Sequence, residues 1–467
     1  MWNVDKIDRP KLIELELSLV EKLKGKLTLL QPQEEKIFEV SQALAEILAN
    51  DHSPLYEHIK YLNGEPQKEQ FVKHFLSYGV IEDLLCDSDV EDIIINSLKP
   101  IYIHHAQRGF IPTNISFANY RELDLFVRKL LLFAGRDGQM RKMVNLELPN
   151  LGGRVNIVYS AFGPQLTITK SRLEPMSILD LVSRGSLTFE VAAQLWLYIE
   201  GLSIRPANMI LAGGPGTGKT TLLNALFSFI PSSERIVVIE DTLELNTFLE
   251  DSCSRLESDE EVTLADLVKN NLRMRPERIV VGEVRGAEAQ DMITAVNVGK
   301  YCIGTIHALT SREAILRLQN VPMNIPEVLV NLVDVFVVLK RYHVHDRIFR
   351  VVDEVSETSG MEQKTVLLSQ IFKYDYEKRT VREVSASTVY RDHLAHQAGL
   401  TPLDIIEEVF FRSVLLKTLA EKGMTTMKEI TTFCRAYNRN AAEATASLGL
   451  DREQYFPKAP SKKKLNE

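Results

Sequence analysis

The chain of 467 residues has few cysteines, and the four it has are scattered: Cys86, Cys253, Cys302 and Cys434. None of them forms a CxxC pair. The sequence therefore gives no sign of a zinc knuckle or of a disulfide framework. We expect reduced, buried thiols.

Long apolar runs are also absent. A membrane-spanning helix needs roughly 20 consecutive apolar residues, and even residues 328–339 are fewer and are interrupted by Asn331 and Asp334. The first ten residues, MWNVDKIDRP, lack the apolar core of a signal peptide. We therefore expect a cytoplasmic protein.

Positive charge is in short supply, because 55 Lys and Arg residues face 63 Asp and Glu residues and the formal net charge is -8. Such a surface has no overall electrostatic reason to bind DNA or an acidic membrane, although a local basic patch is compatible with it. We expect no nucleic-acid partner. The length exceeds that of a usual single domain, so two or more domains with their own cores are expected.

The amino-terminal part of the chain divides by its hydrophobic periodicity. Residues 1–74 are predicted to form a helical region, a cap or adaptor, because apolar residues recur at helical spacing. Residues 75–173 are predicted to form an α+β domain, because short β-type runs at 92–95, 101–103 and 155–158 surround a helix near 123–133. The helical spacing is carried by Leu12, Leu15, Leu19 and Leu23, and again by Ile37, Val40, Leu44 and Leu48.

The rest of the chain has a different pattern. Residues 174–190 are predicted to be a linker. In residues 191–370 apolar strands alternate with helical stretches, which predicts an α/β core with a mostly parallel sheet. Residues 371–467 are predicted to form a helical extension that ends in a disordered basic tail around residues 460–464. The predicted core strands are 209–212, 236–239, 279–281 and 302–306.

The strongest chemical signal is a complete phosphate-binding loop (P-loop) between an apolar strand and a helix. Its glycines allow backbone angles and close approaches that a side chain would prevent, so that several N–H groups can surround a phosphate. The strand–loop–helix context makes a chance match improbable on physical grounds. The loop consists of Gly213, Gly214, Pro215, Gly216, Thr217, Gly218, Lys219 and Thr220.

Each end of this motif has a predicted chemical role. Lys219 is expected to reach the β- and γ-phosphates of a nucleotide, and Thr220 to offer its hydroxyl to Mg²⁺. From Thr221 the chain should continue as the helix whose amino-terminal dipole faces the anion. ATP and Mg²⁺ are the expected ligands.

Carboxylates and a histidine follow three of the predicted strands. Glu240 and Glu283 come after apolar runs, at the edge of an open α/β sheet where ligands bind, and could hold a water or the Mg²⁺ shell. Carboxylates at strand ends can instead cap the next helix, and a single histidine is commonly structural. Beside a P-loop, we interpret Glu240, Glu283 and His307 as catalytic candidates, with Glu283 also a metal candidate.

These motifs, taken together, resemble those of the secretion ATPases of type II and type IV systems. The P-loop matches that family's Walker A motif, Ile236-Val237-Val238-Ile239-Glu240-Asp241 its Asp box, residues 272–286 its atypical Walker B motif, and Thr305-Ile306-His307-Ala308 its His box. Upstream, Gly153-Arg154-Val155-Asn156-Ile157 resembles part of the family's N-terminal domain. The resemblance covers roughly residues 75–355.

The resemblance implies a RecA-like core preceded by a PAS-like α+β domain, assembled as a homo-hexamer. It implies hydrolysis of ATP to ADP and phosphate that drives a polytopic membrane platform protein at the inner face of the cell membrane, acting indirectly on pilin-like or secreted substrates. A γ-phosphoryl transition state gains from an added arginine. Arg154 and Arg275 are our catalytic candidates for that role, and the wider set adds Lys170, Arg172, Arg273 and Arg285.

Within the family, Pro322-Met323-Asn324-Ile325-Pro326 and the helical extension look most like the archaeal branch, which powers type IV pili and the archaellum. The four cysteines cannot form the zinc module common in bacterial pilus-extension and type II members. Two alternatives stay open: a DNA-translocating ring ATPase, and a nucleotide-sensing scaffold with little hydrolysis. The sequence does not separate filament assembly, retraction, rotation and secretion.

Overall fold

The computed structural model describes residues 9–28, 31–49, 62, 64–136, 142–147, 153–170, 174–246, 252–259, 261–345, 347–363 and 365–456. The chain divides into two compact units. We call Met1–Leu173 with His345–Ile348 the amino-terminal unit, and Glu174–Val344 with Phe349–Glu467 the core unit.

The amino-terminal unit combines helices with an antiparallel sheet. Its strand order is β3-β2-β1-β6-β5-β4, and each neighbouring pair is antiparallel. The described helices are α1 (Arg9–Leu23), α2 (Gln33–Leu48), α3 (Glu65–Leu76), α4 (Glu82–Cys86) and α5 (Tyr120–Phe133). The strands are β1 (Val90–Asn96), β2 (Tyr102–His105), β3 (Gly109–Pro112), β4 (Met143–Glu147), β5 (Gly153–Ser160) and β6 (Gly163–Lys170).

Hydrophobic periodicity explains this unit's core. Leu15, Leu19 and Leu23 of α1 are at most 2% exposed, as their spacing of four residues predicts. On β5 the alternate residues Val155 and Ile157 are buried, as expected for a strand with one face against a core. Helices and sheet therefore share one apolar cluster.

The core unit contains the remaining elements. Its described helices are α6 (Ile178–Ser183), α7 (Phe189–Glu200), α8 (Lys219–Leu226), α9 (Leu264–Asn271), α10 (Glu288–Asn297), α11 (Ser311–Gln319), α12 (Glu327–Val330), α13 (Val389–Ala398), α14 (Pro402–Glu421), α15 (Met427–Arg439), α16 (Ala441–Ser447) and α17 (Arg452–Tyr455). Its strands are β7 (Met209–Gly213), β8 (Ile236–Glu240), β9 (Cys253–Glu257), β10 (Arg278–Val281), β11 (Tyr301–Ile306), β12 (Val335–Val344), β13 (Arg347–Glu362, whose first two residues are counted with the amino-terminal unit), β14 (Thr365–Asp375) and β15 (Thr380–Glu383).

The core unit is built on a mixed nine-stranded sheet in the order β15-β14-β13-β12-β7-β11-β10-β8-β9. The strands from β12 to β9 in this order pair in parallel, whereas β13, β14 and β15 pair antiparallel. Alternate side chains of β7 enter different apolar clusters, Leu211 on one face and Ile210 with Ala212 on the other. The predicted α/β architecture is confirmed. The four predicted core strands are confirmed as β7, β8, β10 and β11, because strands covered on both faces read as continuous apolar runs.

The structure differs from the sequence-based expectations at three places. The expected linker contains helix α6, which begins with a capping box between Ser177 and Asp180. The sheet continues past residue 370, where a helical extension was expected, because β14 and β15 complete its edge and the first helix beyond them is α13. His345–Ile348 belongs to the amino-terminal unit, where Ile348 N–H donates to Gln107 O at 3.2 Å.

Cys302 and Cys434 are buried, as expected, and burial raises the pKa of the Cys302 thiol to about 12. Cys253 is half-buried and Cys86 is exposed, so the expectation of burial is wrong for these two. No helix among the residues that the structure describes is both long enough and apolar enough to cross a membrane. The basic tail at 460–464 lies outside the described residues.

Candidate functional site

The P-loop connects the end of β7 at Gly213 to the start of α8 at Lys219, which confirms the predicted strand–loop–helix context. Gly216 and Gly218 have φ angles of +66° and +97°, in the left-handed region that favours glycine. A Cβ on Gly213 would lie 2.5 Å from Thr217 Oγ1 and 2.8 Å from Leu339 O. The loop therefore needs these glycines for its shape.

A hydrogen bond from a side chain within the P-loop closes the loop. The Thr217 hydroxyl is buried and donates to Gly214 O at 2.9 Å. Pro215 and Gly216, between them, are exposed. Thr220 and Thr221 follow in the first turn of α8, whose free N–H groups face the loop. This geometry suits a phosphate group.

Lys219 begins a hydrogen-bonded chain of three side chains that continues through His307 to Glu283. Its ammonium donates to Gly213 O and Gly214 O, both at 3.0 Å, and lies 3.3 Å from His307 Nδ1. His307 Nε2 lies 3.1 Å from a Glu283 carboxylate oxygen. His307 Nδ1 also lies 3.2 Å from Gly213 O, so the imidazole joins Glu283 on one side to Lys219 and the P-loop backbone on the other. The predicted candidates Lys219, His307 and Glu283 are thus brought together.

Burial lowers the pKa of the Lys219 ammonium, while the Glu283 and Glu244 carboxylates act in the opposite direction. The two acids therefore keep a cation at the end of the loop despite its partial desolvation. A cation in this place can bind the terminal phosphates of a nucleotide.

The position of Glu283 follows from bonds between β11 and the residues directly after β10. The Thr305 hydroxyl donates to Gly282 O at 2.6 Å, and Val284 N–H donates to Thr305 O at 2.7 Å. These bonds hold the residues on both sides of Glu283 against β11, which carries His307 at its end. The side chain of Glu283 is 34% exposed and can meet a water or a substrate.

Glu240 differs from Glu283 in its surroundings. It is 3% exposed, and one of its carboxylate oxygens accepts from the N–H groups of Glu244 and Leu245, both at 3.0 Å. Its other oxygen lies 3.7 Å from the Arg255 guanidinium. Burial raises the pKa of Glu240 to about 7, although the two N–H groups and Arg255 oppose that shift.

Glu244 is a site residue that the sequence reasoning missed. Its carboxylate accepts from the Thr220 hydroxyl at 3.3 Å. Since Glu240 binds the backbone of Glu244, the buried acid positions the loop that brings the second acid to Thr220. A signal existed in the sequence, because Glu244 is one more carboxylate just after β8, but nothing in a linear pattern ranks it above Glu240.

The predicted arginines are scattered over the chain. Arg285 forms an ion pair with Asp241 at the same sheet edge as Glu283. Arg275 and Arg273 are exposed and precede β10. They therefore lie at the amino-terminal ends of the parallel strands, opposite to the ends that carry Glu283 and the P-loop. Within one core unit the structure does not bring Arg275 to the P-loop.

The other candidate cations belong to the amino-terminal unit. Arg154 is exposed on β5, next to Thr169 of β6. The Lys170 ammonium donates to Leu84 O and Asp87 O. Arg172 lies outside the described residues.

Two arginines that were not predicted lie next to the P-loop instead. Arg350 Nε donates to Gly216 O at 2.9 Å, and Arg341 Nη1 lies 3.4 Å from where a Cβ on Gly216 would be. They come from β13 and β12. The sequence shows only a basic stretch after an apolar strand, which is commonly a solvated surface, so the pattern gave no reason to select them.

The donor set around Thr220 fits Mg²⁺ that arrives with a nucleotide. In the part of the chain that the structure describes, no group of three or more His, Cys, Asp or Glu residues could hold a metal by itself. Mg²⁺ prefers oxygen ligands, keeps several waters and uses one or two carboxylates together with substrate phosphates. The Thr220 hydroxyl, with Glu244 beside it and Glu283 at the same edge, matches that requirement.

Several known proteins are similar to this chain in sequence or structure. A family model described as type II/IV secretion system protein matches residues 137–398. An uncharacterised protein of Methanocaldococcus jannaschii is 31% identical over 74% of this chain and 65% of its own length, so the chain spans less than two thirds of that relative. The conjugal transfer protein TrbB of Rhizobium radiobacter is 30% identical over 56% of this chain and 83% of its own length.

Among solved structures, the VirB11 ATPase from the Brucella suis type IV secretion system is similar to this chain. The match has 26% identity and a TM-score of 0.31, and covers 61% of this chain and 96% of the VirB11 chain. Since the family model matches more than half of the residues, the chain belongs to the type II/IV secretion system protein family.

Proposed function

We propose that the chain hydrolyses ATP to ADP and phosphate with Mg²⁺. The observation that carries this proposal is the chain of contacts from the P-loop through Lys219 and His307 to Glu283. It places a cation for the phosphates and a carboxylate for the attacking water on two sides of one imidazole. Catalysis of phosphoryl transfer depends mainly on such positioning and on charge stabilisation.

Each residue then has a role in the reaction. The loop N–H groups and Lys219 bind the β- and γ-phosphates, and Glu283 orients a water and accepts its proton. His307 holds the Glu283 carboxylate, and Glu240 positions Glu244 beside Thr220. Mg²⁺, held by Thr220 and a carboxylate, would neutralise charge on the phosphates.

We further propose that hydrolysis is coupled to movement in a homo-hexameric motor with a RecA-like core, peripherally bound at the inner face of the cell membrane. Its partner would be a polytopic platform protein, and its output the assembly of type IV pilus-like or archaellum filaments, or type II/IV secretion. Family membership supports the secretion role, and the archaeal relative supports the archaeal branch. The PAS-like fold of the amino-terminal domain stays a prediction.

One relative named as a conjugal transfer protein keeps a DNA-translocating ring as the second candidate. Stimulation of hydrolysis by DNA would favour the DNA-translocating ring. Stimulation by membranes that carry the platform protein would favour the filament or secretion motor. A nucleotide-sensing scaffold would bind ATP and leave it intact.

The deciding experiment measures Mg²⁺-dependent phosphate release by the wild type, Lys219→Ala and Glu283→Gln. We expect both variants to lose at least about 100-fold in turnover, because each removes charge or base function used in the transition state. Glu283→Gln should still bind ATP. Glu261→Gln, which changes an exposed carboxylate in the same unit, is the matched control. Wild-type turnover in Lys219→Ala would refute the proposal.

A further inference from the structure

Arg341 and Arg350 approach the P-loop from strands that follow all the motifs described above. The register between β12 and β7 places Leu339 beside Gly213. Side chains alternate along a strand, so Arg341 lies on the same face as Leu339, two residues further on. That position is next to the point where the chain leaves β7 and the P-loop begins.

Arg350 is hydrogen-bonded to Gly216 in the middle of the loop, and the Arg341 guanidinium lies next to the same glycine. Arg350 Nε donates to Gly216 O at 2.9 Å, and its Cδ lies 3.9 Å from where a Cβ on Gly218 would be. Arg341 Nη1 lies 3.4 Å from the corresponding point on Gly216. Both side chains are half-buried, so water screens their charges less than at an open surface.

The bond to Gly216 O has a consequence for phosphate binding. In a planar trans peptide the C=O of one residue and the N–H of the next point in opposite directions. By holding the Gly216 carbonyl, Arg350 therefore fixes the direction of the Thr217 N–H, which is one of the loop's donors. The planar fork of arginine is suited to such a fixed contact.

Charge gives Arg341 a separate consequence. A guanidinium next to the loop adds a cation to the one that Lys219 supplies. ATP carries more negative charge than ADP, so an added cation favours the triphosphate.

We propose that Arg341 and Arg350 set how the P-loop binds nucleotide within one chain. Arg350 is a positioning residue that orients the loop's N–H groups, and Arg341 supplies the cation that favours ATP over ADP. This inference rests on the proposed function, because it assumes that the P-loop binds a nucleotide.

The test measures dissociation constants for ADP and for the non-hydrolysable analogue AMP-PNP, both with Mg²⁺, by calorimetry. Arg350→Ala should weaken both ligands by a similar factor of about ten, which corresponds to one charge-assisted hydrogen bond. Arg341→Ala should weaken AMP-PNP about tenfold and ADP less than about twofold, and Arg341→Lys should restore most of the preference. Arg382→Ala, an exposed arginine on β15 of the same sheet, should match the wild type.

Thermal unfolding curves that match that of the wild type confirm that each variant is folded. If Arg350→Ala is not folded, Arg350→Lys replaces it as the milder change. If the arginine variants bind both nucleotides as the wild type does and Lys219→Ala binds them weakly, this inference is overturned and the proposed function is not. A wild-type chain that binds neither nucleotide would overturn the proposed function, and this inference with it.

Discussion

At the scale of single residues, the two strand-end carboxylates of the core sheet differ by their burial. Glu240 is 3% exposed and burial raises its pKa to about 7, whereas the Glu283 side chain is 34% exposed and bound to His307. An ionised Glu240 therefore has a cost in the folded state that an exposed carboxylate lacks. That cost gives the stability of the core unit a characteristic pH dependence.

The sign of this dependence follows from the two pKa values. A glutamate in an unfolded chain titrates near ~4.3. Because the folded value is higher, protonated Glu240 contributes stability that is fully present below the unfolded pKa and is lost as the pH rises through about 7. The shift corresponds to a free energy on the order of 4 kcal/mol.

We expect Glu240→Gln to remove this dependence, so that the variant gains stability relative to the wild type as the pH rises from about 4.3 to 8. Urea unfolding midpoints across this range measure it. Asp266→Asn is a control of opposite sign, because bonds from the Thr263 hydroxyl and backbone lower the pKa of Asp266. The difference in stability between Asp266→Asn and the wild type should become smaller as the pH falls. A difference in urea unfolding midpoint between Glu240→Gln and the wild type that does not change with pH would contradict the burial argument.

Sequence reasoning selected Glu240, Glu283, His307 and Lys219, and the structure places all four at one sheet edge. It could not assign their different roles, because burial depends on which residues pack around each carboxyl after folding. The contact between Glu244 and Thr220 depends likewise on a loop whose path the linear pattern does not show.

At the scale of elements, helix α14 is attached to the core by a buried ionic group. Arg412 is 1% exposed and lies 2.7 Å from Glu200 of α7 and 2.9 Å from Glu408. Its guanidinium carbon lies 4.7 Å from the ring centre of Trp196. Although burial opposes ionisation, the charges of Arg412 and Arg452 lower the pKa of Glu408 to about 2.

Replacing Arg412 by Met should destabilise the core unit by about 3–5 kcal/mol, because Glu200 would then be buried without its cation and Glu408 would keep only Arg452. Lys417→Met, at an exposed position of the same helix, should change stability by less than about 0.5 kcal/mol. Urea unfolding followed by tryptophan fluorescence is suitable, since Trp196 packs against this group. A loss below about 1 kcal/mol for Arg412→Met would show that the group does not hold the helix.

Predictability also varies between elements. The strands β7, β8, β10 and β11 could be predicted because they are apolar on both faces. The outer strand β13 carries buried polar side chains such as Asp353 and Glu357, whose partners come from other elements. Its mixed pattern hid the edge of the sheet, and the helical extension was placed too early.

At the scale of the whole molecule, the position of Arg275 limits how it can act. Arg275 precedes β10, whereas Glu283 follows that strand. The two residues therefore lie at opposite ends of the parallel strands within one core unit. If Arg275 is an arginine finger, it must serve the P-loop of another copy. Head-to-tail contacts that close into a ring provide such an arrangement.

Mixing two variants tests this directly. Arg275→Ala and Lys219→Ala should each be inactive alone, since one lacks the finger and the other the phosphate-binding cation. In a mixed ring a Lys219→Ala subunit can still offer Arg275 to the intact P-loop of its neighbour. With equal amounts and random assembly, about a quarter of the sites have both groups, so about a quarter of wild-type activity should return.

The control mixes Lys219→Ala with Glu283→Gln. Both changes affect one chain's own site, so no combination of subunits restores a complete site and activity should stay absent. Light scattering with ATP and Mg²⁺ establishes whether copies associate under the assay conditions, and association should raise the rate per chain with concentration. Full activity of Arg275→Ala alone would exclude it as a finger, while a strictly monomeric chain of constant specific activity would exclude the ring and leave the nucleotide site in place.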